Sequence, residues 1–168
     1  MAPKPMDFTK EVRRAVRHFW ETRDRQAKMQ GARTGERDRG ARSAVTGGAQ
    51  LDGFADLLRK LLVEAGVRDS AIYRRAQVEL PGYYRAEKKW DLVVVVDGRL
   101  LATVEFKAQV GPSFGNNYNN RAEEALGNAT DYWAAYREGA FRGSPKPCLL
   151  YTSPSPRDLS TSRMPSSA

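Results

Sequence analysis

The stretch of sequence that decides the fold is WDLVVVVDGRLLATVEFKAQV, residues 90–110. Two runs rich in β-branched and apolar residues flank Asp97-Gly98, a pair typical of the tight turn between antiparallel strands. The stretch therefore predicts a β-hairpin. Because side chains alternate between the two faces of a strand, Glu105, Lys107 and Gln109 are expected on one face of its second strand.

Acidic and basic side chains are expected to meet at the open end of this hairpin. Asp91 opens the first strand, and the turn brings it beside the end of the second strand, where Glu105 and Lys107 lie. Carboxylate oxygens suit Mg²⁺, and an adjacent lysine can stabilise charge on a phosphate. We predict a phosphodiester-hydrolysing site with Asp91, Glu105 and Lys107 as catalytic residues and Asp91 and Glu105 as the Mg²⁺ ligands. Glu79 and Gln109 are accessory candidates, and a solvated strand face is the alternative.

Composition narrows the class of protein. The 168 residues suffice for one sizeable core, and 28 Lys and Arg against 20 Asp and Glu give a formal net charge of +8. This charge favours an anionic partner such as nucleic acid, although a well-solvated basic domain is the alternative. Cys148 and His18 are the single cysteine and histidine, which excludes an internal disulfide and a Cys/His zinc cluster. Without an apolar membrane span or a secretory signal, a cytoplasmic protein is expected.

The rest of the chain alternates helical patterns with short strand and loop patterns. Apolar spacing predicts helices over Asp7–Gln30, Leu51–Ala65 and Arg121–Phe141. Gly31–Gly48 is expected to be a flexible basic loop, and Ala71–Leu80 a short strand. The expected fold class is α/β, with a mixed central sheet flanked by helices.

Two polar segments on either side of the hairpin are candidates for a DNA path. Tyr83–Lys89 mixes aromatic and cationic residues, and Gly111–Arg121 reads as an Asn-rich loop. Asn can pair with adenine and Arg with guanine in the major groove. A surface connector and an Asn-rich turn bonded to its own backbone are the alternatives. The candidate DNA-binding residues are Arg85, Lys88, Lys89, Asn116, Asn117, Asn119, Asn120 and Arg121.

The hairpin resembles the PD-(D/E)xK nuclease motif, with Asp91, Glu105 and Lys107 as its members and Trp90 in place of the proline. Further segments resemble the XhoI family of type II restriction endonucleases. They are AVTGG (44–48), LDGF (51–54), LPGYYR (80–85), KKWDL (88–92), EFKAQVGPSFGNN (105–117) and TDYWAAYREGAF (130–141).

This resemblance implies a restriction-endonuclease-like core and Mg²⁺-dependent cleavage of double-stranded DNA at a palindromic site, CTCGAG. It also implies a restriction-modification system with a cognate DNA methyltransferase, with no direct contact between the two enzymes implied. A palindromic target implies a two-fold symmetric homodimer. The alternatives are a non-specific repair or recombination nuclease of the same fold and a catalytically inactive DNA-binding fragment.

The last 21 residues differ in composition from the rest. Residues 148–168 are mostly short polar residues and prolines, so we expect a restriction endonuclease domain over 1–147 and a disordered tail after it. The tail resembles one reading frame of a transposase-based sequencing-library adapter. We therefore expect it to be non-native and the domain to be incomplete at its C-terminus; a natural disordered tail is the alternative.

Overall fold

The computed structural model describes residues 6–34, 48–108 and 114–152, of which the side chains of 30–34 and 114–118 are excepted. The described residues up to Ile72 form one compact unit, and those from Tyr73 onwards form another. Within these ranges no helix combines the length and the apolar character that crossing a membrane requires.

The first unit is built from two helices, α1 (Phe8–Thr34) and α2 (Asp52–Glu64), with single 3-10 turns at Ala49–Leu51 and Asp69–Ala71. Phe19 of α1 is fully buried and packs edge-on against Phe54 of α2, with 6.2 Å between ring centroids. The two predicted helices are confirmed. The predicted basic loop is wrong at its start because α1 continues to Thr34, and residues 35–47 lie outside the described residues.

The second unit contains the predicted mixed sheet. Its elements are β1 (Ile72–Arg74), β2 (Glu79–Pro81), β3 (Glu87–Lys89), β4 (Leu92–Val96), β5 (Arg99–Phe106), α3 (Phe114–Arg137) and β6 (Cys148–Thr152). Strands β1, β4, β5 and β6 form a four-stranded sheet in that order, and β2 pairs with β3 in a separate two-stranded sheet. The β4–β5 pair is antiparallel and the β5–β6 pair is parallel.

The predicted hairpin is confirmed as β4 and β5. Leu92 lies opposite Val104, and the chain turns at Asp97-Gly98, where both residues have positive φ angles of 50° and 76°. Two successive left-handed residues define the type I′ turn, whose twist matches that of the strands it joins. The second strand ends at Phe106 rather than Val110, and residues 109 and 110 lie outside the described residues.

Gly98→Ala should lower the free energy of unfolding by about 1 kcal/mol, because an L-residue is strained at this φ angle. An added Cβ meets no atom within 4 Å there, so the cost comes from the backbone conformation alone. Gly127 lies inside α3 with equally open space, and Gly127→Ala should raise stability by about 1 kcal/mol through helix propensity. Urea denaturation measures both, and a Gly98→Ala variant as stable as the wild type would contradict the turn assignment.

Helix α3 contributes the residue at the centre of the second unit's core. Tyr132 is fully buried, and its hydroxyl lies 3.0 Å from Thr103 Oγ1 of β5. Burial raises the pKa of Tyr132 to about 12, although the hydrogen bond with Thr103 lowers it in part. The tyrosine ring packs edge-on against Trp90 at 5.5 Å between centroids. This contact holds the chain in place immediately before Asp91.

Two local predictions are wrong. The single strand expected over Ala71–Leu80 is divided into β1 and β2, because Arg75 and Gln77 between them have positive φ angles of 65° and 57°. The Asn-rich segment expected as a loop lies partly in α3, which begins at Phe114 and ends at Arg137. The low helix propensity of Asn is the reason why the local pattern did not indicate a helix there.

The segment that begins at Cys148 is a strand and not the start of a disordered tail. Strand β6 runs parallel to β5, from Cys148 opposite Ala102 to Thr152 opposite Phe106. Leu149 of its short apolar run packs against the core cluster of the second unit, and this burial stabilises the strand. Residues 153–168 lie outside the described residues.

Candidate active site

Backbone hydrogen bonds hold Asp91 at the end of β5. The Asp91 N–H donates to the Val104 carbonyl at 3.1 Å, and the Phe106 N–H donates to Asp91 Oδ2 at 2.6 Å. These bonds extend the β4–β5 pairing to Asp91, the residue before Leu92. They place the Asp91 carboxylate beside Phe106 at the end of β5, next to Glu105.

Glu105 is the buried centre of the site, with 4% of the residue exposed. Its Oε1 atom forms ion pairs with two ammonium groups, Lys107 Nζ at 2.8 Å and Lys88 Nζ at 3.2 Å. Its Oε2 atom is also buried but has no hydrogen-bond partner among the residues that the structure describes. A buried carboxylate oxygen without a partner is costly, so Oε2 is the atom in this cluster that is best suited to a further ligand.

Lys107 is held between two carboxylates. Its Nζ lies 2.8 Å from Glu105 Oε1 and 2.7 Å from Glu124 Oε1, while Arg121 Nη1 lies 2.7 Å from Glu124 Oε2. Partial burial alone would lower the pKa of Lys107, but the hydrogen bonds and charges of Glu105 and Glu124 raise it well above its ordinary value. The lysine therefore carries its positive charge at neutral pH.

The two flanking carboxyl groups have opposite pKa shifts. Asp91 is an exposed residue as a whole, yet partial burial of its carboxyl group raises its pKa. The Phe106 N–H lowers that pKa in part, and the nearby charge of Glu105 raises it further. For Glu124, burial raises the pKa, but the hydrogen bonds of Lys107 and Arg121 outweigh it, so its pKa lies below the ordinary value. Negative charge is thus well compensated at Glu124 and poorly compensated at Asp91.

The donor set fits a magnesium ion held by few protein ligands. Mg²⁺ is commonly bound by one or two carboxylates together with water and substrate phosphate. Asp91 and Glu105 offer such a pair, and the buried Glu105 Oε2 atom has no partner among the described residues. Among the described residues no group of three or more His, Cys, Asp and Glu side chains could hold a metal ion.

The two accessory candidates lie elsewhere. Glu79 is in β2, where its carboxylate accepts the Val78 N–H at 3.1 Å and pairs with Lys89 Nζ at 3.7 Å. These contacts belong to the β2–β3 ribbon and not to the carboxylate cluster. Gln109 lies outside the described residues.

The candidate DNA-binding residues are distributed unevenly. Lys88 is turned into the site, whereas the Lys89 side chain is 63% exposed. Asn119 and Asn120 are exposed on the early turns of α3, and Arg121 pairs with Glu124. Arg85 is exposed and pairs with Asp131; Asn116 and Asn117 lie in α3, with their side chains outside the described part.

A buried aspartate anchors the segment that leads into β3. Asp131 of α3 is only 3% exposed, and its Oδ1 accepts the N–H groups of Tyr83 at 2.9 Å and Tyr84 at 2.7 Å. Its Oδ2 lies 3.2 Å from Arg85 Nε. A Cβ at Gly82 would lie 2.7 Å from that same Oδ2, so this position requires glycine. The two tyrosine side chains remain exposed and pack edge-on, 4.9 Å between centroids.

Sequence reasoning missed the contacts that Lys88, Glu124 and Asp131 make. Arg121 and Glu124 are three residues apart on α3, a spacing that predicts their mutual ion pair but not the approach of Glu124 to Lys107. Asp131 interrupts an otherwise apolar and aromatic stretch of α3. That interruption is a signal that could have indicated a buried capping role.

A mixed α/β fold with a carboxylate pair and a lysine at the open end of a hairpin is consistent with a restriction-endonuclease-like class. The family model "Restriction endonuclease XhoI" matches residues 30–165 of the chain. The chain therefore belongs to the XhoI restriction endonuclease family. No solved structure matches it.

Three relatives are named type II restriction enzymes. BstVI of Geobacillus stearothermophilus is 53% identical over 120 residues, which are 68% of this chain and 54% of that enzyme. AbrI of Azospirillum brasilense is 45% identical over 148 residues, 88% of this chain and 66% of that enzyme. XhoI of Xanthomonas vasicola is 41% identical over 141 residues, 83% of this chain and 56% of that enzyme. The matched part of the chain thus spans between about half and two thirds of each relative.

Proposed function

We propose that this protein is a type II site-specific deoxyribonuclease that hydrolyses phosphodiester bonds of double-stranded DNA with Mg²⁺ as its cofactor. The observation that carries the proposal is the Glu105 carboxylate. One of its oxygens is held by two lysines, the other is buried without a partner, and Asp91 lies beside it. The names of the relatives, all type II restriction enzymes, support the same class of reaction.

Each residue of the cluster has a distinct part in this proposal. Asp91 and Glu105 would hold the metal ion, which supplies Lewis-acid activation of water and neutralises charge at the phosphate. Lys107 remains protonated between Glu105 and Glu124. It therefore acts as a positive charge that orients the attacking water and stabilises the transition state.

The substrate and partners are proposed from the family and from the surface around the site. Exposed cationic and amide side chains of Arg85, Lys89, Asn119 and Asn120, with the exposed Tyr83–Tyr84 pair, are suited to phosphate, base and sugar contacts. The target is proposed to be CTCGAG, read by a homodimer whose two-fold axis matches the palindrome. A cognate methyltransferase would protect the host genome in the prokaryotic cytoplasm.

Plasmid cleavage by the full-length protein tests this function against its alternatives. A plasmid with one CTCGAG site should become a single linear product in Mg²⁺ and stay uncut in EDTA. The same plasmid with one changed base pair in that site is the control and should remain uncut. Smeared products from both plasmids would indicate a non-specific nuclease, and DNA binding without any metal-dependent cut would indicate a binding module.

A further inference from the structure

Lys88 occupies an unusual position for a residue expected on the DNA surface. Its side chain is only 13% exposed, and its Nζ lies 3.2 Å from Glu105 Oε1 and 4.4 Å from the centroid of the Trp90 ring. Trp90 is itself buried and packed against Tyr132. Trp90 immediately precedes Asp91, and the Lys88 ammonium group thus contacts both this indole ring and the Glu105 carboxylate.

The two lysines that contact Glu105 differ in their number of carboxylate partners. Lys107 is shared between Glu105 and Glu124, whereas the one ion pair of Lys88 in the described part of the chain is with Glu105. The Lys88–Glu105 distance is also the longer of the two contacts with Oε1. The other contacts of the Lys88 ammonium group are uncharged, a hydrogen bond to the Lys89 carbonyl at 3.4 Å and the Trp90 ring. Lys88 therefore gives up fewer charged partners than Lys107 when it leaves Glu105.

The formal charges of the cluster sum to zero without a metal ion, although they are unevenly distributed. Three carboxylates face three cations: Asp91, Glu105 and Glu124 against Lys88, Lys107 and Arg121. A divalent cation at Glu105 would add two positive charges a few ångströms from the Lys88 ammonium, which repels it. A DNA phosphate relieves this repulsion in two ways, since it brings negative charge and offers Lys88 another partner.

We propose that Lys88 couples DNA binding to metal binding. In the DNA-free protein it occupies Glu105 and weakens the binding of a divalent cation. When DNA binds, Lys88 moves to a phosphate and releases Glu105 for the metal ion, so the complete site forms on the substrate. This inference rests on the proposed metal-dependent nuclease function and adds a positioning role for Lys88 to it.

The first experiment measures Mn²⁺ binding to the full-length protein without DNA, by electron paramagnetic resonance of the free ion. Lys88→Met keeps the length and the apolar stem over Trp90 but removes the charge, and it should bind Mn²⁺ about tenfold more tightly than the wild type. Lys88→Arg keeps the charge and should bind like the wild type. Lys146→Met is the matched control, because it removes the same charge from an exposed lysine that also lies over a tryptophan ring, Trp133 at 5.3 Å, and it should leave Mn²⁺ affinity unchanged.

The second experiment measures DNA affinity in EDTA as a function of salt concentration. If Lys88 moves to a phosphate, Lys88→Met should reduce the slope of log affinity against log salt by about one. An unchanged slope, or equal Mn²⁺ affinities for wild type and Lys88→Met, would overturn the coupling while leaving the nuclease proposal intact. Absence of Mn²⁺ binding in every variant, with and without DNA, would overturn both.

Discussion

Replacing Glu105 with Gln should lower Mg²⁺-dependent cleavage of a cognate plasmid by about three orders of magnitude or more. The substitution preserves size but removes the negative charge that faces Lys88 and Lys107 at 3.2 and 2.8 Å. It also places an amide NH₂ either at Oε1, where it faces two ammonium groups, or at the buried Oε2, which has no partner in the described part of the chain. The variant thus loses both the proposed metal ligand and the acceptor that positions Lys107. Single-turnover rates with the full-length protein measure the effect.

Glu79→Gln is the matched control for this experiment. It makes the same chemical change in an exposed residue whose contacts are with Val78 and Lys89 in the β2–β3 ribbon. Its cleavage rate should equal that of the wild type. Wild-type cleavage by Glu105→Gln would remove the basis of the proposed site, and a large loss in Glu79→Gln would restore Glu79 as an accessory residue. Binding of DNA in EDTA should persist in both variants.

Replacing Asp131 with Ala should lower the free energy of unfolding by about 3 kcal/mol, because it removes one buried acceptor from several donors at once. The N–H groups of Tyr83 and Tyr84 and the Nε of Arg85 all lie on this carboxylate, at 2.9, 2.7 and 3.2 Å. In the alanine variant these donors must find water or remain unpaired. Urea denaturation measures the loss.

Two further variants serve as controls for the Asp131→Ala variant. Asp131→Asn keeps an amide oxygen for the tyrosine N–H groups but loses the charge opposite Arg85, so we expect about half of the alanine effect. Glu123 is exposed on the same helix, and Glu123→Ala should change stability by less than about 0.5 kcal/mol. If Asp131→Ala were as stable as Glu123→Ala, the anchoring role of Asp131 would be wrong.

Local patterns in the chain were sufficient for the hairpin and for the first two helices. The Asp97-Gly98 turn and its β-branched flanks predict β4 and β5 because the turn conformation and the strand preference are both properties of neighbouring residues. The same turn brings Asp91 to the end of β5, so the candidate site of Asp91, Glu105 and Lys107 could be predicted as one group. Apolar spacing likewise predicted α1 and α2 to within a few residues, except that α1 continues beyond Gln30.

Contacts between distant segments could not be predicted in this way. The Asn-rich start of α3 reads locally as a loop, and the positive φ angles that divide β1 from β2 have no clear local signal. Neither feature follows from the propensities of neighbouring residues, which differ by only a few tenths of a kcal/mol per residue.

The residues of the candidate site likewise fall into those that the sequence predicts to be neighbours and those that only the tertiary structure brings together. Sequence alone placed Asp91, Glu105 and Lys107 together, since one short turn connects their two strands. Only the tertiary structure brought Glu124 to Lys107, Lys88 to Glu105 and Asp131 to the tyrosine segment. The physical reason is that these contacts depend on how α3 and β3 pack beside the hairpin, and that arrangement is set by buried side chains such as Trp90 and Tyr132.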